Sequence, residues 1–363
     1  MNTVSSPAVR RPELDALRAI AALLVLCMHT TEAFVRYPLA RGAETWLYTL
    51  SSGLDFGRMG VVLFFVVSGY VVPRSLRRDG LRGAGRFLAQ RVVRLYPAFW
   101  LSILPGAWSA FWLWGRPFSA RELWLNATML PQTFGARPAL WPYWTLRVEW
   151  IFYALCILLH VCGLLQSARI RVAIVVLCGL LFVHGSMYEV MASRWFLQGL
   201  VRPHMLGFVS LFFYGAWAAS GAKPSPAARI YVFSMCVTLP LIGLWMSIQT
   251  GADRIELLKL CVAYPTGVAL FLGGMRWLGQ RKTWLSWLGV RSYGLYLFHA
   301  VVLNVLLWCA EQPFGATLRT WPLALDVALV ALVATALAHL THKYVELPGV
   351  ALGRRWLGPP SAL

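Results

Sequence analysis

Apolar runs long enough to cross a bilayer, which takes about 20 residues as a helix, recur along the whole chain. None of them alternates apolar and polar residues every second position, as the strands of a membrane barrel do. The predicted elements are therefore helices, which satisfy their own backbone hydrogen bonds in lipid. The pattern predicts an all-α, polytopic membrane protein with about ten transmembrane helices, lying near 14–34, 58–73, 95–115, 141–163, 172–187, 203–219, 230–248, 259–278, 288–310 and 321–345.

Composition and domain organisation agree with this pattern. The chain has 363 residues, of which 59% are hydrophobic, against about 45–50% in soluble domains. The first apolar run follows Arg10 and Arg11 and resembles a signal peptide, but its length and its internal polar residues favour a permanent span. Since no linker or repeat divides the sequence, we predict one transmembrane domain over residues 1–363, with a core at about 12–348 and short cytoplasmic tails. Any chemistry is expected within the helical bundle and its connections.

The charges predict the orientation of the chain. The net charge is +19, and most basic residues fall in alternate connections, whereas acidic residues fall in the others. By the positive-inside rule both termini lie in the cytoplasm. Basic connections that face anionic lipid explain most of the net charge without nucleic acid. The 7 cysteines form no C-x-x-C pair, so neither a metal site nor a disulfide framework is expected.

The first predicted helix carries two costly polar residues on one face. Arg18 and His29 are eleven residues apart, which at 100° per residue places them on the same side, roughly 16 Å apart along the axis. Asp15 precedes Arg18 by three residues, so the two can form an ion pair. A snorkelling arginine and a packed histidine are the structural alternative, but the shared face favours a functional site.

The fourth predicted helix holds Glu149 several residues inside its apolar run. A glutamate there must be protonated, paired or next to a wet cavity, and a structural ion pair is as plausible as a catalytic role. The ninth predicted helix carries His299 near its centre, where we expect a packing role.

Small and basic residues indicate where a ligand could approach. Ser68 and Gly69 interrupt a run of bulky residues and allow a neighbouring helix or a ligand chain to come close. Arg91 and Arg94 are three residues apart and share a face of a predicted helix. Their guanidinium groups suit phosphate, which arginine binds with two hydrogen bonds.

Together these segments resemble the acyltransferase 3 family of bacterial membrane O-acyltransferases, which act on surface carbohydrates. The matching stretches run from about residue 12 to 348 in the order of the family: LDALRAIAALLVLCMH, GVVLFFVVSGY, RVVRLYP, WTLRVEWIFY, SYGLYLFH and YVELP. The first contains the family's arginine and histidine, separated by ten residues, at Arg18 and His29.

The resemblance implies an enzyme of the bacterial inner membrane that uses acyl-CoA, most often acetyl-CoA, as donor and no metal. It implies that His29 is the leading catalytic residue, with Arg18 as a partner on its helix and Glu149 at the position of the family's glutamate. It also implies that Arg91 and Arg94 contact the phosphates of CoA and that Glu346 is a site residue near the inner surface, while the small-residue segment adds Ser68 to the expected donor site. The acceptor would be a hydroxyl of a polysaccharide or lipid-linked glycan. Some relatives have a further esterase-like domain that is not found in these 363 residues, so an envelope partner protein could complete the transfer.

A mechanism follows from these expectations. CoA would bind at a basic inner mouth, and its pantetheine arm would extend past Ser68 towards His29. Neutral His29 would act as general base on the acceptor hydroxyl, with Glu149 or another carboxylate orienting its ring and an arginine or Tyr143 stabilising the oxyanion. Direct transfer is preferred over an acylated histidine. The alternative function is a transporter or flippase, because proton relays and substrate paths also use polar residues in the membrane.

Overall fold

A computed structural model describes residues 11–36, 46–76, 80–192, 203–219, 254–279 and 283–357. Within these ranges the chain is helical and contains no strand, which confirms the all-α prediction. The α-helices, numbered in chain order, are α1 (Pro12–Arg36), α2 (Trp46–Gly53), α3 (Phe56–Val71), α4 (Gly80–Ala110), α5 (Ala120–Asn126), α6 (Trp144–Val161), α7 (Ala168–Ala192), α8 (Pro203–Ala218), α9 (Arg254–Trp277), α10 (Trp284–Gly289), α11 (Ser292–Glu311), α12 (Leu323–Thr341) and α13 (Leu347–Leu357).

Several of these helices are long and apolar enough to cross a membrane. In the described part of the chain there are five such segments: Pro12–Val35, Phe56–Ser75, Trp141–Val161, Ser292–Glu311 and Leu323–Trp356. Helices also occupy the predicted segments near 95–115, 172–187, 203–219 and 259–278, and 230–248 lies outside the described residues. The multi-pass character is thus supported, while the number of about ten spans stays a prediction.

Helix α1 lies at the centre of the bundle and packs against α3, α10, α11 and α12. Its sequence favours this helix, because Glu13 and Asp15 occupy the first turn, where the helix dipole favours negative charge. No glycine or proline follows until the helix ends. The hydroxyl of Thr30 donates to the carbonyl oxygen of Leu26 at 2.9 Å, so this polar group is satisfied within the helix. A central α1 brings its polar face into contact with several other helices.

Helices α3 and α8 cross with their backbones in contact. A Cβ atom on Gly69 would lie 1.9 Å from the carbonyl oxygen of Phe212, and one on Gly215 would lie 2.1 Å from that of Val66. Only glycine fits at both positions, as at other close crossings of membrane helices. The small-residue segment of α3 therefore contacts α8.

The connection between α4 and α6 is an ordered structure built around α5. Ser119 caps α5, and Glu122 completes a capping box with it. The side chain of Arg137 donates to Glu122 through Nε at 2.6 Å and to the carbonyl oxygen of Pro117 at 2.8 Å. The hydrogen bond from Arg137 favours the ionised carboxylate of Glu122 and lowers its pKa to about 2. These contacts hold the chain that leads into α6.

Candidate active site

A small cavity, open on one side, lies against the middle of α1. Ala22 and Val25 contribute to its wall, and both lie on the helix face that also carries Arg18 and His29. The cavity therefore occupies the stretch between these two residues. Its lining is formed by α1, α3, α6 and α11 and carries no charged side chain: Ala21, Ala22, Val25, Gly60, Val61, Phe64, Phe65, Thr145, Leu146, Ser292, Tyr293 and Tyr296.

Two histidines meet beyond one end of this cavity. Nδ1 of His29 lies 2.9 Å from Nε2 of His299, and the two rings are stacked with centroids 5.2 Å apart. Nδ1 of His299 lies 2.7 Å from the carbonyl oxygen of Tyr296. His299 is buried, whereas His29 is partly exposed.

These contacts define the tautomers of the neutral pair. A carbonyl oxygen only accepts hydrogen bonds, so Nδ1 of His299 must carry its hydrogen and Nε2 must accept. His29 then donates from Nδ1, which leaves its Nε2 lone pair free. No hydrogen bond from Nε2 of His29 to another described residue is present. The arrangement presents a neutral imidazole with a free basic nitrogen.

Neighbouring polar groups fix the surroundings of this pair. The hydroxyl of Tyr296 lies 2.7 Å from Oγ1 of Thr145 and donates to the carbonyl oxygen of Pro142. The Trp141 ring contacts His29, with centroids 3.9 Å apart and planes at 64°. The short turn that precedes α6 is thus held against α11 next to the histidines.

The other end of the site is rich in charge. Arg18 forms an ion pair with Asp15 at 3.7 Å, as the sequence predicted. The charges of Arg91, Arg94 and Glu149 also act on Arg18, so α4 and α6 bring their charged residues close to α1. Arg94 is exposed. Three guanidinium groups at this end can bind phosphate.

Acidic and aromatic groups complete the charged end. Glu149 accepts a hydrogen bond from the Tyr153 hydroxyl at 2.5 Å, and the guanidinium of Arg91 lies 5.5 Å from the centre of the Tyr153 ring. Glu346 lies in a π-helical segment, His342–Glu346, which connects α12 to α13. One of its carboxylate oxygens lies 2.7 Å from Nδ1 of His342, and its charge acts on Arg94.

Tyr293 connects the charged end to the cavity. Its side chain lines the cavity, and its hydroxyl donates to the carbonyl oxygen of Leu95 at 3.0 Å. The charges of Glu149 and Glu346 act on its phenol. The charged groups, the cavity and the histidine pair are therefore arranged in sequence along α1.

The structure brings most of the predicted site residues into this arrangement, but His29 and Glu149 have other partners than the sequence predicted. His29 is oriented by His299, for which packing was expected, while Glu149 contacts Tyr153 at the charged end. Ser68 is buried on α3 and is not part of the cavity wall. The packing of the adjacent Gly69 against α8 explains this position, so a donor contact by Ser68 stays a prediction.

Sequence reasoning also missed several residues of the site. Tyr143 was a candidate for the oxyanion, but its hydroxyl lies 2.7 Å from Oγ of Ser102. Tyr293 and Tyr296 line the cavity instead. Tyr293, Tyr296 and His299 follow one another at intervals of three residues, which makes them neighbours along α11. This spacing could have identified the two tyrosines as site residues. The described residues contain no group of His, Cys, Asp and Glu that could hold a metal ion.

A multi-pass helical bundle with a polar site inside it defines the class of protein. The chain belongs to the acyltransferase 3 domain family, whose sequence profile, described as an acyltransferase domain, matches residues 11–342. It is 25% identical over 397 aligned residues to YrhL of Bacillus subtilis (strain 168), provisionally named a peptidoglycan O-acetyltransferase; the alignment covers 93% of this chain and 54% of YrhL.

A second relative is an O-acetyl transferase of Shigella phage Sf6. It is 33% identical over 85 residues, which are 23% of this chain and 22% of the phage protein. The chain thus spans about half of the length of YrhL, and the match to the phage protein is shorter still. No solved structure shows a significant match. The family match shows an acyltransferase domain over most of the chain.

Proposed function

We propose that this protein transfers an acyl group, most simply acetyl, from cytoplasmic acyl-CoA to a hydroxyl of an exported or surface carbohydrate. The donor's phosphates bind to Arg91 and Arg94, with Arg18 beside them, and its pantetheine arm occupies the cavity along α1. The thioester then lies near His29. The names of both relatives support an acetyl group, and that of YrhL, which names peptidoglycan, supports a carbohydrate acceptor.

Nε2 of His29 acts as the general base in the proposed reaction. It removes the proton from the acceptor hydroxyl while the oxygen attacks the thioester carbonyl. The new C–O ester bond forms, the C–S bond breaks, and the proton passes from His29 to the leaving sulfur to give free CoA. His299 receives a hydrogen bond from Nδ1 of His29 throughout, which keeps the basic nitrogen directed away from it.

One observation supports this proposal: a cavity without charged lining lies along α1, on the helix face that carries Arg18 towards one end and His29 towards the other. Phosphates require the arginines, and a neutral thioester arm suits an uncharged cavity because it adds no unpaired charge. A proton-accepting group at the far end completes an acyltransferase site. Each part of acyl-CoA thus has a corresponding region.

The proposal is tested with purified protein in lipid nanodiscs, acetyl-CoA labelled in the acetyl group, and peptidoglycan fragments as acceptor. His29→Ala should reduce transfer by about 10²–10⁴-fold, the usual contribution of a general base. Loss of transfer should come without loss of protein abundance or a change in melting temperature.

His184→Ala is the matched control, because His184 is exposed on α7. It should keep wild-type transfer. Transfer by His29→Ala at the wild-type rate would overturn the catalytic assignment. Wild-type protein that never releases CoA, with any glycan fraction as acceptor, would overturn acyl-CoA as donor.

A further inference from the structure

Trp141 combines exposure with contact to the proposed base. Its side chain is 47% exposed, yet its ring contacts His29 at a centroid distance of 3.9 Å. Exposed tryptophans near a membrane surface commonly anchor the protein at the interface. Trp124 on α5 is even more exposed, at 78%, but its ring contacts neither histidine, so direct contact with the site distinguishes Trp141.

The backbone around Trp141 is held in place by its buried neighbours. Ala139 and Leu140 are buried, and a Cβ atom on Gly106 of α4 would lie 2.9 Å from the Leu140 side chain. The carbonyl oxygen of Pro142 accepts a hydrogen bond from the Tyr296 hydroxyl. Because residues on both sides are fixed, the indole has a defined position beside His29. A fixed, exposed ring suits binding, since little side-chain freedom is lost.

The indole also offers the chemistry that a sugar requires. No described residue accepts a hydrogen bond from its N–H group, so this donor is available. An indole has a broad apolar face and one polar edge. The C–H face of a pyranose ring can stack on the former, while a sugar hydroxyl accepts from the latter. The Trp141 side chain remains 47% exposed while its ring contacts His29.

We infer that Trp141 is the platform on which a pyranose ring of the acceptor stacks, so that one of its hydroxyls reaches Nε2 of His29. The inference rests on the proposed function, because it assigns a binding residue for the acceptor of that reaction. Trp141 then determines acceptor affinity, while His29 and His299 perform the proton transfer. The occupant is a neutral carbohydrate ring, since an aromatic face suits a ring that presents C–H groups.

Binding of soluble glycans tests the inference without an acyl donor. Chitotriose and maltotriose are the probes, and saturation-transfer difference NMR on the protein in nanodiscs detects sugar C–H groups close to protein. Wild type and Trp141→Phe should both give signals, because both have an aromatic face. Trp141→Leu should lose them, while Trp124→Leu, the matched control, keeps them.

The same variants are then compared in acetyl transfer. Trp141→Leu should raise the acceptor KM by about tenfold, the order expected for one aromatic contact, and lower kcat much less. Absence of a signal with either probe in wild type, or an undiminished signal in Trp141→Leu, would overturn the inference. An equal fall of kcat with unchanged acceptor KM would instead assign Trp141 to the positioning of His29 and would also overturn it.

Failure of this inference and failure of the proposed function appear in different measurements. If wild type binds the glycan through Trp141 but never releases CoA, the acceptor platform stands and the donor assignment falls. If CoA is released and glycan is acylated while Trp141→Leu behaves as wild type, the donor assignment stands and the platform falls.

Discussion

Replacement of His299 tests whether the histidine pair works as a unit. His299→Leu removes the acceptor for the N–H group at Nδ1 of His29, which lies 2.9 Å away. A donor left without a partner inside a protein costs about 1–3 kcal/mol. In this variant the ring of His29 is also free to turn or to change tautomer. Since about 1.4 kcal/mol corresponds to a factor of ten, kcat for acetyl transfer should fall by about 5- to 150-fold. The loss should be smaller than that of His29→Ala, since the base itself remains.

His299→Gln is the informative companion variant. Its side-chain oxygen can accept from Nδ1 of His29, and its amide N–H can donate towards the carbonyl oxygen of Tyr296, which now binds His299. A positioning role therefore predicts that glutamine retains more activity than leucine. Steady-state kinetics in nanodiscs should show the change in kcat, with the KM for acetyl-CoA unchanged.

The refuting results are specific. Wild-type kcat in His299→Leu would show that the contact between the rings has no role in transfer. Equal loss in the glutamine and leucine variants would exclude the hydrogen bond as the cause. A lowered melting temperature in both would assign His299 to packing, the role that the sequence suggested.

Three further predictions concern the proposed donor site, the α1–α3 crossing and the connection between α4 and α6. Substituting both Arg91 and Arg94 by Ala should raise the KM for acetyl-CoA and weaken its dependence on salt, and unchanged kinetics would exclude a phosphate site there. Gly60→Ala should lower the melting temperature, because its Cβ would lie 2.5 Å from the backbone oxygen of Ala21, whereas Gly85→Ala in open space should raise stability by up to about 1 kcal/mol. The hydrogen bond from Arg137 lowers the pKa of Glu122 to about 2, so the pair stabilises the fold above the unfolded pKa of glutamate, about 4.3, and this contribution is lost as pH falls through about 2. The melting temperature of Glu122→Gln should therefore depend less on pH between about 4 and 2 than that of wild type. The same pH dependence in both proteins would refute the role of the pair.

Local patterns predicted the parts of the site that lie on one helix. The eleven-residue spacing placed Arg18 and His29 on one face of α1, and the cavity wall between them confirms that Ala22 and Val25 share it. The pairing of Asp15 with Arg18 also follows from spacing within one turn. Such predictions succeed because helix geometry alone determines which side chains are neighbours.

Contacts between distant segments could not be predicted in the same way. His29 and His299 are 270 positions apart, and their meeting depends on the packing and register of α1 against α11. An apolar pattern shows that a helix is buried in lipid or protein but does not specify its neighbours. The same limit explains why the position of Ser68 could not be predicted, because a segment of small residues can face either a ligand or a neighbouring helix. The close crossing of α3 and α8 at Gly69 determines the outcome.

The distribution of charge along α1 explains why a neutral histidine pair suits this site. Ions are costly to bury, and Arg18 lies where the charges of Asp15, Arg91, Arg94 and Glu149 act on it. The cavity and the pair beyond it contain only neutral donors and acceptors. In the proposed reaction the phosphates stay with the arginines and only the neutral arm of the donor enters. The proton taken by His29 leaves with the sulfur of CoA, so the resting pair returns to its neutral state after each transfer and no unpaired charge remains in the membrane.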